Sequence, residues 1–310
     1  MGIIKRPSEL SVKNTLSVLI YGQPGIGKTT FGVSAPNAVL FDYDGGVQRI
    51  NGAHQVATLQ PTSWEDTALA LTEIQNEMPE IQTIVIDTVG KMLDYMSAYI
   101  IKNDAKMAMR DGSLSLKGYG VRKQMFVNFI KQLAIMGKNV VFIAHEREER
   151  RGEETFKRPE IGGSSANDLI KELDLVGYMY AVGKERVITF DPAEYYYAKN
   201  TCNLPAAIKL PVVVDESGKG MSNVAFSNIV AQYKVAQEKR QDTTARYEML
   251  LGLIDETMSA VVDVDSLNEA MAKLFGMEQI YDSFLRAQRA VANKGKELGL
   301  TYNKIAKRYE

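Results

Sequence analysis

Residues 22–29 constrain the fold more than any other part of the sequence. They read Gly-Gln-Pro-Gly-Ile-Gly-Lys-Thr and fit the pattern G-x-x-x-x-G-K-[ST]. Such a segment holds phosphate groups where a buried strand precedes it and a helix follows it. The apolar run at residues 16–21 predicts that strand. A helix is predicted over residues 28–34, and Pro36 ends it. The sequence therefore predicts a phosphate-binding loop between a strand and a helix.

The residue types of this loop indicate how it binds a triphosphate. Glycines let successive backbone N–H groups turn toward one anion, and the helix N-terminus adds a partial positive charge. Lys28 is expected to reach the β- and γ-phosphates, and the Thr29 hydroxyl is expected to ligate Mg²⁺. The predicted ATP contacts cover the whole loop and the start of the helix: Gly22, Gln23, Pro24, Gly25, Ile26, Gly27, Lys28, Thr29 and Thr30.

Further apolar runs follow at intervals and predict the class of fold. Residues 38–42, 83–87 and 139–144 read as buried strands, and residues 55–59 as a weaker one. Helical signals lie between them, at 62–78 and 118–136. Strands that alternate with helices indicate a parallel sheet flanked by helices, an α/β fold.

The pattern changes in the second half of the chain. Short β segments are predicted at 186–190, 195–199 and 211–214, and residues 237–310 look helical throughout. The polar stretch 237–244 reads as a linker. We therefore predict a core at residues 1–235, with residues 1–14 as an N-terminal arm, and a helical region at residues 236–310.

Asp87 is the predicted metal ligand. It ends the apolar strand 83–87, and the carboxyl ends of strands face the ligand crevice of an open α/β sheet. A carboxylate there can hold Mg²⁺ directly or through water. An aspartate after an apolar strand is common by itself, but its pairing with the glycine loop favours the metal role.

Composition excludes several classes of protein. Lys and Arg number 37 against 38 Asp and Glu, so the net charge of −1 excludes a histone-like protein but allows a local basic strip. The single cysteine, Cys202, excludes an intramolecular disulfide and a cysteine-rich zinc module. No apolar run approaches the roughly 20 residues that cross a bilayer. We expect a cytoplasmic protein without a membrane partner.

The order of these motifs resembles that of the RecA/RadA/DnaB class of ATPases. The phosphate-loop strand is followed by a strand ending in Asp42 and Asp44, then the strand ending at Asp87, then the strand before His145. The resemblance implies that Asp44 orients the attacking water and that His145 senses the γ-phosphate. An aspartate replaces the glutamate of that class. The residues alone also allow a turn before Gly45-Gly46 and a strand-end histidine without a role in catalysis.

A second resemblance concerns residues 197–203, which are similar to the Lys-Asn-Arg-Phe-Gly element of RadA-type proteins. It implies that Lys199 reaches the nucleotide of a neighbouring subunit in a homo-oligomer. A cation supplied in this way stabilises the charge that develops on the γ-phosphoryl group. Thr201 replaces the arginine of the element, and a surface lysine after a strand is the alternative.

In the RecA class, loops after the metal strand and the sensor strand hold DNA. The corresponding segments here are residues 102–123, with six basic and two acidic residues, and residues 146–167, with mixed charge. A solvated charged surface is the alternative for both segments. The candidate DNA-binding residues are Lys117, Tyr119, Arg122, Arg147, Arg150 and Arg151. Residues 281–310 are also basic, which suits DNA, a partner protein or solubility.

The whole pattern over residues 15–210 is similar to that of phage-encoded RecA-like ATP-binding proteins. This resemblance implies a RecA-like core with a C-terminal helical extension. It also implies ATP hydrolysis, slow or stimulated by DNA, and binding of single-stranded DNA with strand annealing or exchange. Single-strand-binding or replication proteins are the expected protein partners, in the cytoplasm of a bacterial host.

Other functions stay open. A replication-associated ATPase, such as a helicase or helicase loader, is one alternative. A nucleotide-gated binding module with little hydrolysis is another. The sequence contains no Asn-Lys-x-Asp motif and no Leu-Ser-Gly-Gly-Gln motif, which disfavours a GTPase and a transporter ATPase. A small-molecule kinase stays possible, because its acceptor site needs no readable motif.

Overall fold

The structure is a computed structural model that describes residues 3–10 and 13–310. The chain divides into two compact units. One comprises residues 14–234, and the other comprises residues 235–310 together with the described part of residues 1–13. No helix among the described residues is long and apolar enough to cross a membrane.

A mixed sheet organises the first unit. Its described strands are β1 (Ser17–Gly22), β2 (Ala38–Asp42), β3 (Ala57–Leu59), β4 (Thr83–Asp87), β5 (Asn139–Arg151), β6 (Glu154–Pro159), β7 (Leu175–Val182), β8 (Glu185–Thr189), β9 (Lys199–Asn200) and β10 (Ala207–Lys209). The main order is β10-β8-β7-β1-β5-β4-β2-β3, and β6 and β9 pair with β5 and β7. From β3 to β7 along this order, all neighbouring strands are parallel. The predicted α/β fold with a mostly parallel sheet is confirmed.

Eight α-helices are described. They are α1 (Lys28–Gly32), α2 (Trp64–Asn76), α3 (Val89–Asn103), α4 (Leu116–Ile135), α5 (Ser165–Glu172), α6 (Ala225–Ser259), α7 (Val264–Phe275) and α8 (Ser283–Glu297). Helix α2 begins where predicted, because Ser63 and Asp66 form a capping box. The Thr88 hydroxyl caps α3 by accepting from the backbone N–H of Lys91. Strands β11 (Tyr302–Asn303) and β12 (Arg308–Tyr309) form a hairpin after α8.

The core of the first unit lies on both faces of the sheet. In β1, Leu19 and Tyr21 pack with residues of α2, α3 and α4, whereas Val18 and Ile20 pack with Phe31 of α1 and with the start of α6. These strand residues are fully buried. An apolar run is therefore what this strand requires, because alternating positions face two different layers of helices.

Several local predictions were wrong. Residues 237–244 do not form a linker but lie inside α6. Residues 211–214 form only an isolated bridge at Val214. Residues 146–159 form a hairpin, because β5 continues past the sheet and pairs with β6, and acidic and basic side chains on opposing strands form ion pairs. Helix α3 and strand β7 were not predicted from the sequence, although both carry buried apolar residues.

Candidate nucleotide site

The phosphate loop connects β1 to α1 at the carboxyl edge of the sheet. Gly27 has φ of 100°, a conformation that glycine adopts without steric strain. A Cβ on Gly22 would lie 2.2 Å from the backbone oxygen of Met179. Glycine at position 22 is therefore required by the close approach of β7, and glycine at position 27 by the turn into α1.

Lys28 is held inside this loop. Its ammonium group donates hydrogen bonds to the backbone oxygens of Gly22, at 2.9 Å, and Gln23, at 2.8 Å. Only 5% of Lys28 is exposed, and burial lowers its pKa, while the charges of Asp87, Glu146 and Asp44 oppose that shift. Backbone oxygens thus hold the cation where a phosphate oxygen can replace them.

Thr29 and Asp87 meet beneath the loop. The Thr29 hydroxyl donates to Oδ2 of Asp87 at 2.6 Å, which joins the first turn of α1 to the end of β4. Burial raises the pKa of Asp87 to about 6, and the carboxylates of Asp44 and Asp42 add to the rise, while the Thr29 hydrogen bond lowers it. A hydroxyl and a carboxylate oxygen suit Mg²⁺, which in nucleotide sites takes few protein ligands and completes its shell with phosphates and water.

The two aspartates after β2 have different surroundings. Both carboxylate oxygens of Asp42 accept backbone N–H groups, from Gly46 and Val47, at 2.9 Å each. Asp42 therefore fixes the turn. Asp44 is half-buried, and its Oδ2 lies 3.9 Å from Nε2 of His145. Asp44 and His145, which sequence reasoning placed on separate strands, come together here.

His145 lies opposite Gly22 in the register of β1 and β5. Its Nδ1 is buried and has no hydrogen-bond partner among the described residues. Burial lowers the pKa of His145, and the nearby Lys28 ammonium lowers it further, against the attraction of Asp44. The imidazole is therefore neutral at pH 7 in this structure, at the loop edge where a γ-phosphate would lie.

Lys199 has local partners. Its ammonium donates to the backbone oxygens of Leu173 at 2.6 Å and Ile170 at 3.0 Å, at the end of α5. This contact caps the carbonyl end of a helix, where a cation is favourable. The structure gives Lys199 this role within its own subunit, and the role toward a neighbouring nucleotide stays a prediction.

The candidate DNA-binding residues differ in accessibility. Arg122 is only 8% exposed, donates to Oγ of Ser97 at 3.1 Å and lies 4.7 Å from the ring centroid of Tyr119. The prediction of Arg122 as a direct DNA contact is corrected, since helix α4 turns it toward α3. Lys117, Tyr119, Arg147 and Arg150 are exposed. Arg151 ends β5, and its side chain lies outside the described part of the chain.

Segment 102–123 approaches the same edge of the sheet as the nucleotide loop. Lys102, near the end of α3, pairs with Glu65 at the start of α2 at 2.9 Å. The Tyr95 hydroxyl donates to the backbone oxygen of Pro61 at 3.2 Å. Both partners follow the carboxyl end of β3. Lys117 and Tyr119 belong to the first turn of α4 and not to a loop.

Sequence reasoning missed a polar junction behind the loop. Glu146 accepts from the ammonium of Lys157 and the hydroxyl of Tyr178, both at 3.0 Å. The Tyr21 hydroxyl donates to the backbone oxygen of Tyr197 at 2.6 Å and approaches that of Lys157 at 3.3 Å. Their positions in the sequence could have indicated Tyr21 and Glu146, because Tyr21 directly precedes Gly22 and Glu146 directly follows His145.

These features define the nucleotide site of a P-loop ATPase. A family model described as AAA domain matches residues 14–202, more than half of the chain. The chain therefore belongs to the AAA domain family.

Among solved structures, a KaiC-like protein from the hyperthermophilic archaeon Pyrococcus horikoshii OT3 is similar, with 12% sequence identity and a TM-score of 0.35. The similarity covers 57% of this chain and 78% of that chain. No curated protein matches the sequence.

Proposed function

We propose that the protein is a Mg-ATP-dependent DNA-recombination ATPase of phage type. It binds single-stranded DNA as a homo-oligomer and promotes strand annealing or exchange. The main observation in support of the proposal is that β5 extends from the nucleotide site into an exposed hairpin. This strand holds His145 at the nucleotide site and continues without a break into the β5–β6 hairpin, which presents Arg147 and Arg150 to solvent.

The nucleotide half of the proposal assigns roles to the residues around the loop. Lys28 exchanges its two backbone oxygens for β- and γ-phosphate oxygens, and Thr29 and Asp87 provide oxygen ligands for Mg²⁺. When bound, the metal neutralises charge on the phosphates. Asp44 orients the attacking water, and neutral His145 donates a hydrogen bond toward the γ-phosphate.

The DNA-binding half of the proposal assigns contacts with DNA to the β5–β6 hairpin and to the start of α4. Arg147 and Arg150 are exposed and suit phosphate contacts, whereas the exposed ring of Tyr119 suits stacking against a base. The guanidinium carbon of Arg122 lies 4.7 Å from the centroid of that ring, a cation–π contact that holds the ring in place. Lys117, two residues before Tyr119 in α4, is also exposed and adds a further cation.

The polar junction provides the link between the two halves. Lys157 belongs to β6 of the hairpin, and its ammonium contacts Glu146, the neighbour of His145. Its backbone oxygen is approached by Tyr21, the neighbour of Gly22. A movement of His145 or the loop on nucleotide binding therefore reaches the hairpin through packed, hydrogen-bonded groups.

Titration of a labelled oligonucleotide tests the DNA claim, with Mg-ATP present and absent. The Arg147→Ala/Arg150→Ala variant should flatten the salt dependence of single-strand affinity, reducing its log–log slope by about 1.4 for two phosphate contacts. The control variant is Lys131→Ala/Lys171→Ala, which alters two exposed lysines near the ends of α4 and α5. No binding of the wild type at low salt, with or without ATP, contradicts the proposal.

One observation favours a second candidate, a nucleotide-gated binding module with little hydrolysis. Lys199 is engaged by backbone oxygens of its own subunit, so its transfer to a neighbour requires breaking those bonds. Steady-state turnover measured with and without single-stranded DNA separates the two candidates. Stimulation by DNA supports the ATPase, and turnover that stays near zero under both conditions supports the module.

A further inference from the structure

In the second unit, acidic and basic residues are concentrated in different parts of the sequence. Residues 245–280 contain seven acidic and two basic residues, whereas residues 281–310 contain three acidic and seven basic residues. The first group covers the end of α6 and all of α7, and the second covers α8 and the β11–β12 hairpin. One small folded unit thus has an acidic part and a basic part, and the basic part lies outside the residues that match the AAA domain family.

Local ion pairs account for part of the basic charge. The three acidic residues of 281–310 each pair with a neighbour: Asp282 with Arg286, Glu297 with Lys294 and Glu310 with Arg308. Among the described residues, no acidic group lies within ion-pair distance of the four remaining cations. These four are all exposed: Arg289, Lys296, Lys304 and Lys307.

The helix that carries two of these cations is firmly positioned. Ala287 and Val291 of α8 are buried against Leu267 and Leu274 of α7 and Ile254 of α6. Arg289 and Lys296 are seven residues apart, so they lie on the same side of α8 about 10.5 Å from each other along its axis. The apolar face of α8 is covered, and the side with Arg289 and Lys296 faces solvent.

The hairpin that carries the other two cations is also fixed. A Cβ on Gly295 would lie 2.4 Å from the ring of Tyr309, so the glycine lets β12 pack directly on α8. The backbone N–H of Tyr309 donates to Asn268 at 2.7 Å, and its backbone oxygen accepts from Asn268 at 3.0 Å. The tip of the hairpin carries Lys304 and Lys307 around Ile305, which is 96% exposed.

We infer that this surface binds double-stranded DNA. Helix α8 packs on α7 through its apolar side, is joined to it by residues 276–282, and keeps its charged side exposed, and an α-helix exposed in this way fits the width of the major groove. In this arrangement α8 enters the groove, and Arg289 and Lys296 contact phosphates. The hairpin tip meets the adjacent backbone, where Ile305 can contact a base step in the minor groove.

The site is distinct from the single-strand surface proposed above, both in its residues and in its ligand. It lies on a different unit of the chain and needs neither ATP nor the β5–β6 hairpin. A protein with both surfaces could hold a duplex and a single strand at once. The two claims can therefore fail independently of each other.

The test uses the full-length protein and a labelled 25-base-pair duplex, without nucleotide, over a range of salt concentrations. The Arg289→Ala/Lys296→Ala variant should bind the duplex about thirtyfold more weakly near 0.15 M salt. Its log–log salt slope should be flatter by about 1.8, the value for two lost phosphate contacts. Lys304→Ala/Lys307→Ala should show a loss of similar size. The matched control is Lys273→Ala, an exposed lysine on α7 in the acidic part of the same unit, which should bind like the wild type.

Three results overturn the inference. The first is a wild type that shows no duplex binding at low salt. The second is a Lys273→Ala variant that loses as much affinity as the Arg289→Ala/Lys296→Ala variant. The third is unchanged duplex affinity in the Arg289→Ala/Lys296→Ala variant, whether or not its affinity for single-stranded DNA falls. Circular dichroism of each variant confirms folding, and an unchanged ATP affinity shows that the first unit is intact.

Discussion

The buried carboxylate of Asp87 leads to a quantitative prediction about stability. Its pKa is raised from 3.8 to about 6 in the folded protein, so between these pH values the folded state binds a proton that the unfolded state has released. Stability therefore falls as pH rises through this window. A difference of about two pH units corresponds to roughly 3 kcal/mol in the free energy of unfolding, at about 1.4 kcal/mol per unit.

The Asp87→Asn variant isolates this effect. It cannot titrate, but its side-chain oxygen can still accept from Thr29. Its free energy of unfolding relative to the wild type should rise by about 2.5 kcal/mol between pH 4 and pH 7.5, because roughly 0.5 kcal/mol of the total develops below pH 4. Any penalty from the new amide group is independent of pH and cancels in this comparison. Urea unfolding at half-unit pH intervals, without nucleotide or magnesium, measures the difference.

A second variant checks the cause. Thr29→Val removes the hydrogen bond that lowers the pKa of Asp87, so the window in which stability falls should extend to higher pH. A difference between Asp87→Asn and wild type that stays constant from pH 4 to pH 7.5 refutes the argument. It would mean that the carboxylate is as well solvated in the folded protein as in the unfolded chain.

Four further predictions concern residues around the site. Gly22→Ala should lower the free energy of unfolding by about 1–3 kcal/mol, because its Cβ meets the backbone oxygen of Met179; a thermal melt unchanged from the wild type contradicts this. Lys199→Met should cost about 1–2 kcal/mol in urea unfolding through loss of the α5 cap. In mixtures of Lys199→Ala with Lys28→Ala, restored ATPase supports the role in trans, and absence of complementation removes it. Lys157→Met should retain ATP binding but reduce the effect of ATP on single-strand affinity, whereas Lys157→Arg should restore that effect; equal coupling in all three proteins contradicts the proposed link.

The sequence carried the main elements of the site because they depend on local patterns. The glycine loop, the buried strand before it and the acid at the end of 83–87 need only neighbouring residues to be recognised. The spacing of residues along the sequence does not determine the distances between side chains on different strands. The contact between Thr29 and Asp87 and the approach of Asp44 to His145 depend on the order of strands in the sheet, in which β5 lies between β1 and β4.

The predictions that failed share a physical cause. The charged segment 146–159 reads as a solvated loop, because cross-strand ion pairs are invisible until the register is known. Arg122 reads as an exposed cation, yet the turn of α4 directs it onto Ser97 and Tyr119. Residues 237–244 read as a linker from their polarity, although a helix exposed to solvent needs polar residues as well.

The central claim is that the loop beginning at Gly22 binds a triphosphate through Lys28, with magnesium shared between Thr29 and Asp87. Calorimetric titration of ATP into wild type and Lys28→Ala, each with magnesium and with a chelator, tests it most directly. The wild type should bind ATP tightly, and removal of magnesium should weaken that binding. Lys28→Ala should lose at least a hundredfold in affinity, since two charge-assisted contacts of about 1.5–3 kcal/mol each disappear. Equal affinity of the two proteins for ATP would contradict it.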